Sequence, residues 1–445
     1  MKALEAILSE VESSRQEMVD AMIGMIGIPA LAPVNGGDGE SRKADYLQGL
    51  LRGFDSVRRI DVPDDSDPRV MRSNILARKD GKLPGTVWVV AHIDVVPAGD
   101  PELWEVPPFD PVYRDGRVYG RGTEDNGQSV ISAMFSSRPF LDQELQGMSL
   151  GIAYVADEET TSRKGIIHLL DMGCFSEGDN IYVPDWGSPN GSMVEVAEKN
   201  LLWLRFEVTG KTTHGSTPDE GINAYRVSTV LLMDLMETLE REFDSTDDSF
   251  LPPRSTFEPT MRPATVENIN TIPGYDEFSM DMRLLPCYGQ EEVLEVCREV
   301  ARRHADATGA RIEIKEVARH TAGPRSSTDT EAFRALSKAV ESVVGKAPRA
   351  VGVGGGTCAN FFRERGFDAY VWQCGGGTLH APNEYVVMDD LMLDAKVFAT
   401  VFYDLCLRPS DRRPRMDFPE RKKAHSENMR SIIHSVLNLT MSSYS

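Results

Sequence analysis

The chain has 445 residues, more than one ordinary hydrophobic core holds, so we expect two domains. Its apolar content of 41% is normal for a globular protein, and no stretch reaches about 18 uninterrupted apolar residues, so we expect no membrane span. A formal net charge of -21 argues against non-specific nucleic-acid binding, and it means that an anionic substrate needs a local cation.

The N-terminal residues 1–29 alternate acidic and apolar side chains at helical spacing. This pattern predicts a helix rather than a signal peptide. The six cysteines are scattered and include no C-x-x-C pair, which is typical of a reduced, intracellular protein. Together these features predict a cytoplasmic location.

Strand-like and helix-like segments alternate through the first 190 residues. The strands are predicted at residues 85–96 (GTVWVVAHIDVV), 148–157 (MSLGIAYVAD) and 180–185 (NIYVPD). Such alternation predicts an α/β fold with a mostly parallel sheet and helices on both faces. In these sheets functional side chains gather at the carboxyl ends of the strands. The side chains found there in this chain are His92, Glu158, Glu159 and Asp185.

The order of predicted elements changes to βαββαβ between residues 201 and 317, which is the order of a ferredoxin-like unit. The predicted strands cover 201–210, 263–270, 276–286 and 311–318, and the predicted helices cover 223–243 and 290–307. We therefore expect a domain at 201–317 inserted into a first domain that comprises 1–200 and 318–408.

The α/β pattern resumes after the inserted segment. A helix is predicted at 329–344, a loop at 352–362 (GVGGGTCANFF), a strand at 368–374 and a last helix at 389–407. Residues 409–445 are basic and predict a flexible tail with a loosely docked helix. A partner-binding segment is the alternative for this tail, and the sequence does not decide between them.

Histidines and carboxylates stand in loops after several predicted strands. They are His92, Asp125, Glu158, Glu159, Asp185 and His380. Imidazole with carboxylate suits zinc, and also cobalt or manganese. Two imidazoles and at least three of the carboxylates make five ligands, more than one catalytic zinc takes with a position left open, so we expect two metals about 3.5–4 Å apart, bridged by one carboxylate. Each group alone has an ordinary structural explanation, but their joint occurrence at strand ends favours a metal site.

The motifs around these residues resemble, in order, those of the co-catalytic zinc amidohydrolases. The motifs are HIDVVP, DGRVYGRG, DEE, GKTTHGSTPDEGINA, NTIPG with DMR, and HAPNEY. That family includes aminoacylases, glutamate carboxypeptidases, succinyl-diaminopimelate desuccinylases, acetylornithine deacetylases and carnosine-type dipeptidases. The resemblance covers residues 1–408, and it implies that the inserted ferredoxin-like domain at 201–317 is a lid through which the protein forms a homodimer.

The resemblance also implies a role for each residue of the metal site. The implied metal ligands are His92, Asp125, Glu159, Asp185 and His380, with Asp125 as the bridge. Glu158 would be the general base that takes a proton from the bridging water and hands it to the leaving amine. Asp94 would accept a hydrogen bond from the other ring N–H of His92 and so fix its tautomer.

A second group of residues lies on the lid and near it. The resemblance implies that His214 reaches across a dimer to stabilise the oxyanion, and that Asn270 and Arg283 hold the substrate carboxylate. For Arg283 the alternative is a strand residue paired on the lid surface. Gly356 and Thr357 lack the spacing of a phosphate-binding loop, so we interpret them as a loop whose backbone approaches the substrate.

The expected function is hydrolysis, by a zinc-dependent enzyme, of an amide bond in a small substrate that bears a carboxylate. The substrate is either an N-acyl amino acid or a short peptide. In having an aspartate at position 185, the chain resembles the dipeptidases and tripeptidases, whereas the deacylases more often have Glu at this position. The chain departs from many relatives in reading DNGQ after the bridging Asp125, where they have a lysine and a glycine. The alternative is a non-catalytic, metal-dependent small-molecule binding protein on the same fold.

Overall fold

The computed structural model describes residues 2–266 and 268–408. Up to residue 198 the elements are α1 (Leu4–Ser13), α2 (Arg15–Ile26), α3 (Ser41–Leu50), β1 (Ser56–Pro63), β2 (Met71–Lys79), β3 (Thr86–His92), β4 (Val112–Arg114), β5 (Arg117–Tyr119), α4 (Gln128–Ser137), β6 (Ser149–Val155), α5 (Ile166–Asp171), β7 (Asn180–Val183) and β8 (Met193–Glu198). The next elements are β9 (Asn200–Thr209), β10 (Thr213–His214), α6 (Ala224–Glu242), β11 (Phe250–Leu251), β12 (Thr256–Met261), β13 (Thr271–Ile272), β14 (Tyr275–Leu284), α7 (Gln290–Thr308) and β15 (Arg311–His320). The last are α8 (Glu331–Val344), β16 (Arg349–Val353), α9 (Cys358–Glu364), β17 (Ala369–Val371), β18 (Tyr385–Val387) and α10 (Met388–Phe402).

The larger sheet has nine strands in the order β1-β2-β6-β3-β7-β17-β8-β16-β11. Most neighbouring pairs are parallel, and β3 lies between its parallel neighbours β6 and β7. All seven residues of β3 are buried because both faces of the sheet are covered. Val87 and Val89 join the core on one face, and Trp88 and Val90 join the core on the other. The predicted α/β fold with a mostly parallel sheet is confirmed.

The smaller sheet has four strands in the order β12-β14-β9-β15, which is the ferredoxin-like arrangement. Alternate residues of β9, among them Leu204 and Phe206, turn towards α6 and α7 and form a separate core. One predicted strand was misplaced, because β12 is at Thr256–Met261 and not at 263–270. Phe257 is the buried residue that anchors β12, whereas the described part of 263–270 begins at a proline and is mostly exposed.

Three local features differ from the sequence expectations. The N-terminal helix is two helices that meet at Ser14, where the Oγ donates to the backbone oxygen of Glu10. The predicted loop at 352–362 contains the start of α9, because Thr357 caps that helix by accepting from the N–H of Ala359. The short strand β11 leaves the inserted segment and pairs with β16 of the larger sheet.

The domain limits at residues 201 and 317 stay a prediction. We use the word lid for residues 201–317. The predicted tail at 409–445 lies outside the described residues. Among the helices that the structure describes, none is long and apolar enough to cross a membrane.

Candidate metal centre

Three adjacent parallel strands deliver most of the predicted metal-site residues to one edge of the larger sheet. His92 is the last residue of β3. Glu158 and Glu159 follow the end of β6, and Asp185 follows the end of β7. Because β6, β3 and β7 are neighbours and run in the same direction, their carboxyl ends bring these four side chains together.

Two groups of ligand atoms share the carboxylate of Asp125. The Nε2 atom of His92 lies 2.8 Å from Oδ1 of Asp125 and 3.4 Å from Oδ1 of Asp185. The Nε2 atom of His380 lies 3.0 Å from Oδ2 of Asp125 and 3.4 Å from Oε2 of Glu159. Within each group all ligand atoms lie within 4.8 Å of one another. Asp125 therefore offers one oxygen to each group.

The chemistry of these donors fits metal cations. Burial lowers the pKa of His92, but the charge of Asp185 and a hydrogen bond with Asp125 outweigh it and hold the pKa well above its usual value. Hydrogen bonds with Asp125 and Glu159 raise the pKa of His380 to about 10. The Oε1 atom of Glu159 is buried and has no hydrogen-bond partner among the described residues. The carboxylates thus favour positive charge between the two imidazoles, and a divalent cation supplies it.

A glycine run brings His380 to the site. Gly375, Gly376 and Gly377 all have positive φ angles, of 111°, 119° and 135°, which side chains other than glycine rarely adopt. His380 itself has a φ of 60°, an uncommon conformation for a residue with a Cβ atom. The GGG sequence therefore serves the backbone turn that carries the second imidazole to Asp125.

Glu384 holds the backbone around Asp125, a role that sequence reasoning missed. Its Oε1 atom accepts from the N–H groups of Glu124 at 2.9 Å and Asp125 at 3.0 Å. Its Oε2 atom accepts from the N–H of Gly122 at 3.0 Å and from Nη1 of Arg121 at 2.6 Å. The available signal was the presence of Glu384 in the HAPNEY motif, only four residues after His380.

Asp94 holds a different group from the one expected. Its Oδ1 accepts from the N–H of Glu158 at 3.1 Å, and its Oδ2 accepts from the N–H of Glu159 at 3.0 Å. The ring Nδ1 of His92 lies 3.1 Å from the backbone oxygen of Asp94 but 3.6 Å from its carboxylate, which is too far for a hydrogen bond. The carbonyl of Asp94 thus orients His92, and its carboxylate anchors the loop of the two glutamates.

The side chain of Glu158 is free to act as a base. Its carboxylate makes no hydrogen bond within the described part of the chain, while its backbone is held by Asp94. Burial raises the pKa of Glu158 well above its usual value, and the charge of Asp185 adds to this. A raised pKa and unengaged oxygens are the properties that a general base needs.

The lid residues His214 and Asn270 lie next to each other. His214 pairs with Thr271 where β10 meets β13, and its Nε2 lies 3.5 Å from Nδ2 of Asn270. Its Nδ1 lies 2.8 Å from the hydroxyl of Ser216. Both His214 and Asn270 are exposed, and all of these partners belong to the lid.

The predicted substrate loop is held from the side of the larger sheet. The N–H and the hydroxyl of Thr357 donate to Oε1 of Glu198, at 3.1 Å and 2.9 Å. Gly356 is exposed, whereas Thr357 is buried. Arg283 of the lid donates to the backbone oxygen of Gly354 in the same loop. The structure therefore brings Arg283, Gly356 and Thr357 into one neighbourhood.

Comparison with protein families and sequences gives a consistent result. The model described as peptidase family M20/M25/M40 matches residues 88–404. An uncharacterized metallohydrolase of Methanocaldococcus jannaschii is 35% identical over 402 residues, which cover 86% of this chain and 98% of that protein. The succinyl-diaminopimelate desuccinylase of Halorhodospira halophila is 26% identical over 329 residues, 72% of this chain and 83% of that protein.

Among solved structures, the fold is similar to that of the dipeptidase Dug1p from Saccharomyces cerevisiae. The TM-score is 0.69 at 16% identity, over 90% of this chain and 98% of that one. At this identity the likeness shows the fold alone.

Proposed function

The chain belongs to peptidase family M20/M25/M40 and is a hydrolase, and from this membership we propose that it is a zinc-dependent enzyme that cleaves an amide bond in a small, carboxylate-bearing substrate. The substrate would be an N-acyl amino acid or a short peptide. The observation that carries this proposal is the position of Asp125, which offers one carboxylate oxygen to each histidine-containing group.

The residues that would hold two metal ions fall into two sets. One set is His92 with Asp185, the other is His380 with Glu159, and Asp125 belongs to both. Zinc ions held there would lower the pKa of a water molecule and polarise the carbonyl of the substrate, and cobalt or manganese are the alternatives. The carbonyl of Asp94 would keep His92 in the tautomer that leaves Nε2 unprotonated for a metal.

Glu158 would carry the proton in the proposed reaction. Its free carboxylate would accept a proton from the attacking water and then deliver it to the amine nitrogen as the C–N bond breaks. Its position depends on Asp94, which holds the N–H groups of both Glu158 and Glu159. The proton therefore moves on a side chain whose backbone is fixed and whose oxygens are unengaged.

The lid would contribute the groups that recognise the substrate. His214 would stabilise the oxyanion that forms at the scissile carbonyl, and Asn270 and Arg283 would hold the carboxylate of the substrate. The partners of His214 all lie in the lid, which is consistent with a side chain that serves the site of a second copy. We therefore propose a homodimer formed through the lid.

Release of free amine by the zinc- or cobalt-loaded protein tests the proposed activity. The substrate panel consists of N-succinyl and N-acetyl amino acids, dipeptides and tripeptides, and Glu158→Gln protein with the same metal content is the control. Release of amine from the N-acyl amino acids alone would indicate a deacylase, and release from the peptides alone would indicate a peptidase. A silent panel in a protein with two bound metals would instead favour the alternative, a non-catalytic metal-dependent binding protein.

The mass of the active protein in solution tests the homodimer. Light scattering during size-exclusion chromatography should give twice the chain mass of 49.3 kDa. A fully active preparation at the mass of a single chain would overturn the proposal that His214 acts across a dimer.

A further inference from the structure

The guanidinium of Arg283 is held in a fixed orientation by two partners. Its Nε and Nη2 atoms donate to the two carboxylate oxygens of Asp281, at 2.7 Å and 3.0 Å. Its Nη1 atom donates to the backbone oxygen of Gly354 at 2.8 Å. A guanidinium has five N–H donors, so Nη1 and Nη2 each keep one donor without a partner among the described residues. Two such donors on neighbouring nitrogens match a carboxylate.

Two further basic residues, Lys199 and Arg254, lie near Arg283. Lys199 donates to the backbone oxygens of Pro252 at 2.9 Å and Arg254 at 2.6 Å. Its pKa is lowered to about 8, first by burial and then by the charges of Arg254 and Arg283. Arg283 therefore has basic neighbours on one side, while the carboxylate of Asp281 lies against its guanidinium.

The loop that Arg283 touches ends at the start of helix α9. Gly354 precedes Cys358 by four residues, and Cys358 starts the helix α9. Burial raises the pKa of the Cys358 thiol, and the charge of Glu158 adds to this shift. The loop contacted by Arg283 thus ends at a buried thiol whose pKa responds to the charge of Glu158.

We propose that Asp281 is the positioning residue for recognition of the substrate carboxylate, because it fixes the plane of Arg283 and leaves one donor on each terminal nitrogen for that carboxylate. The inference rests on the proposed function. Asp281 and Arg283 lie two residues apart on β14, so their side chains share one face of the strand. Their cross-strand neighbours are the apolar Trp203 and Leu201 on β9 and Glu258 and Thr256 on β12. The one charged neighbour in these registers, Glu258, stands opposite Asp281 and not opposite Arg283.

A different role for Asp281 would give the opposite result. If Asp281 only competed with the substrate for Arg283, its removal would free two donors and strengthen carboxylate binding. If it positions Arg283, its removal lets the guanidinium rotate, and carboxylate binding weakens. The sign of the change in affinity therefore separates positioning from competition.

The experiment measures binding separately from turnover. In zinc-loaded Glu158→Gln protein, calorimetry gives the affinity for N-acetyl-L-alanine and glycylglycine and for their primary amides. Asp281→Asn should reduce the preference for acid over amide about tenfold, the size of one lost charged hydrogen bond. In the active enzyme the same change should raise KM for the acid about tenfold and leave kcat within about twofold.

Two control variants test whether the effect depends on the carboxylate of Asp281. Glu277→Gln changes a carboxylate on the same strand and face, four residues before Asp281, and should leave the preference unchanged. Asp281→Glu keeps the carboxylate and should restore most of the preference. Metal content and melting temperature of each variant check that it is folded.

Several outcomes would overturn the proposal. They are an Asp281→Asn protein with unchanged or increased preference for the acid, and a parent protein that binds acid and amide equally. Preference for the acid without any turnover across the substrate panel would count against the proposed cleavage of amide bonds and leave the role of Asp281 standing. The failure of one inference can therefore be told apart from the failure of the other.

Discussion

The metal centre and the lid site differ in how the chain fixes their side chains. At the metal centre, His92, Asp125 and Asp185 have side chains that are at most 10% exposed, and the carboxylates of Asp94 and Glu384 hold the surrounding backbone. On the lid, His214 and Asn270 are exposed and lie at two-residue strands. Strand ends and two loops thus bring the first site together within one chain, whereas the proposed role of the second requires another copy of the chain.

The largest expected effect is on proton transfer at the metal centre. Glu158→Gln should reduce kcat by about 10³-fold, because the amide cannot accept a proton from water. Metal content should stay unchanged, since Glu158 belongs to neither ligand group. Steady-state kinetics with elemental analysis measures both quantities, and Glu177→Gln, at an exposed position, is the control. Substantial activity in the Glu158→Gln enzyme would remove Glu158 from the role of base.

The second largest expected effect is on the turnover of a lid variant. His214→Ala should lower kcat by about 10²-fold, the usual cost of losing one oxyanion donor. The two metal groups contain no lid residue, so metal content should be that of the parent protein. The exposed Asp219 in the same loop supplies the control variant Asp219→Asn. Loss of metal from the His214→Ala protein would show that the lid and the metal centre are not separate sites.

A smaller effect is expected where Asp94 supports the metal centre. Asp94→Asn keeps one acceptor oxygen but turns an amide N–H₂ towards one of the two N–H groups of Glu158 and Glu159. Metal affinity should fall about tenfold, in the range found for partners that orient ligands. Competition with a zinc-binding dye measures the affinity, with Asp110→Asn as the exposed control. An unchanged affinity would mean that the glutamate loop is held by other contacts.

The same contrast explains what the sequence could predict. The histidine and the carboxylates after β3, β6 and β7 were predictable because neighbouring parallel strands end at one edge and apolar runs mark those ends. The role of Glu384 was missed, because the HAPNEY motif contains the residue but does not show which backbone N–H groups its buried carboxylate meets. The sequence shows that a carboxylate is present, but only the folded loop shows which backbone N–H groups it accepts from.

The errors in the predicted elements have a similar origin. The strand expected at 263–270 lies at Thr256–Met261, where only Phe257 is buried and the remaining residues follow the edge of the smaller sheet. Few side chains of an edge strand are buried, so its sequence shows little alternation of apolar and polar residues. The pairing of Phe250 and Leu251 with β16 was also missed, because a strand of two residues is too short to show the alternation of apolar and polar side chains.

The smallest expected effect concerns Lys43, which lines a small cavity together with His92 and Asp94 and is 3% exposed. Burial lowers the pKa of Lys43 to about 8, although the charges of Asp94 and Glu40 oppose the shift. In the unfolded chain a lysine has a pKa of about 10.4, so between these values the unfolded state binds more protons. Stability should therefore rise with pH in this window, and this contribution is lost as the pH falls through 8.

Urea unfolding of the metal-free protein at pH 8 and pH 9 tests this sign. The stability of wild type relative to Lys43→Met should increase by about 1 kcal/mol between the two pH values, since one proton is released on folding. The comparison with Lys43→Met cancels the titration of the histidines and carboxylates that both proteins share. Lys346→Met, at an exposed position, should follow the wild type at both pH values. A difference in stability between wild type and Lys43→Met that does not change with pH would mean that Lys43 keeps an ordinary pKa. Water would then reach the ammonium group of Lys43 beside His92 and Asp94.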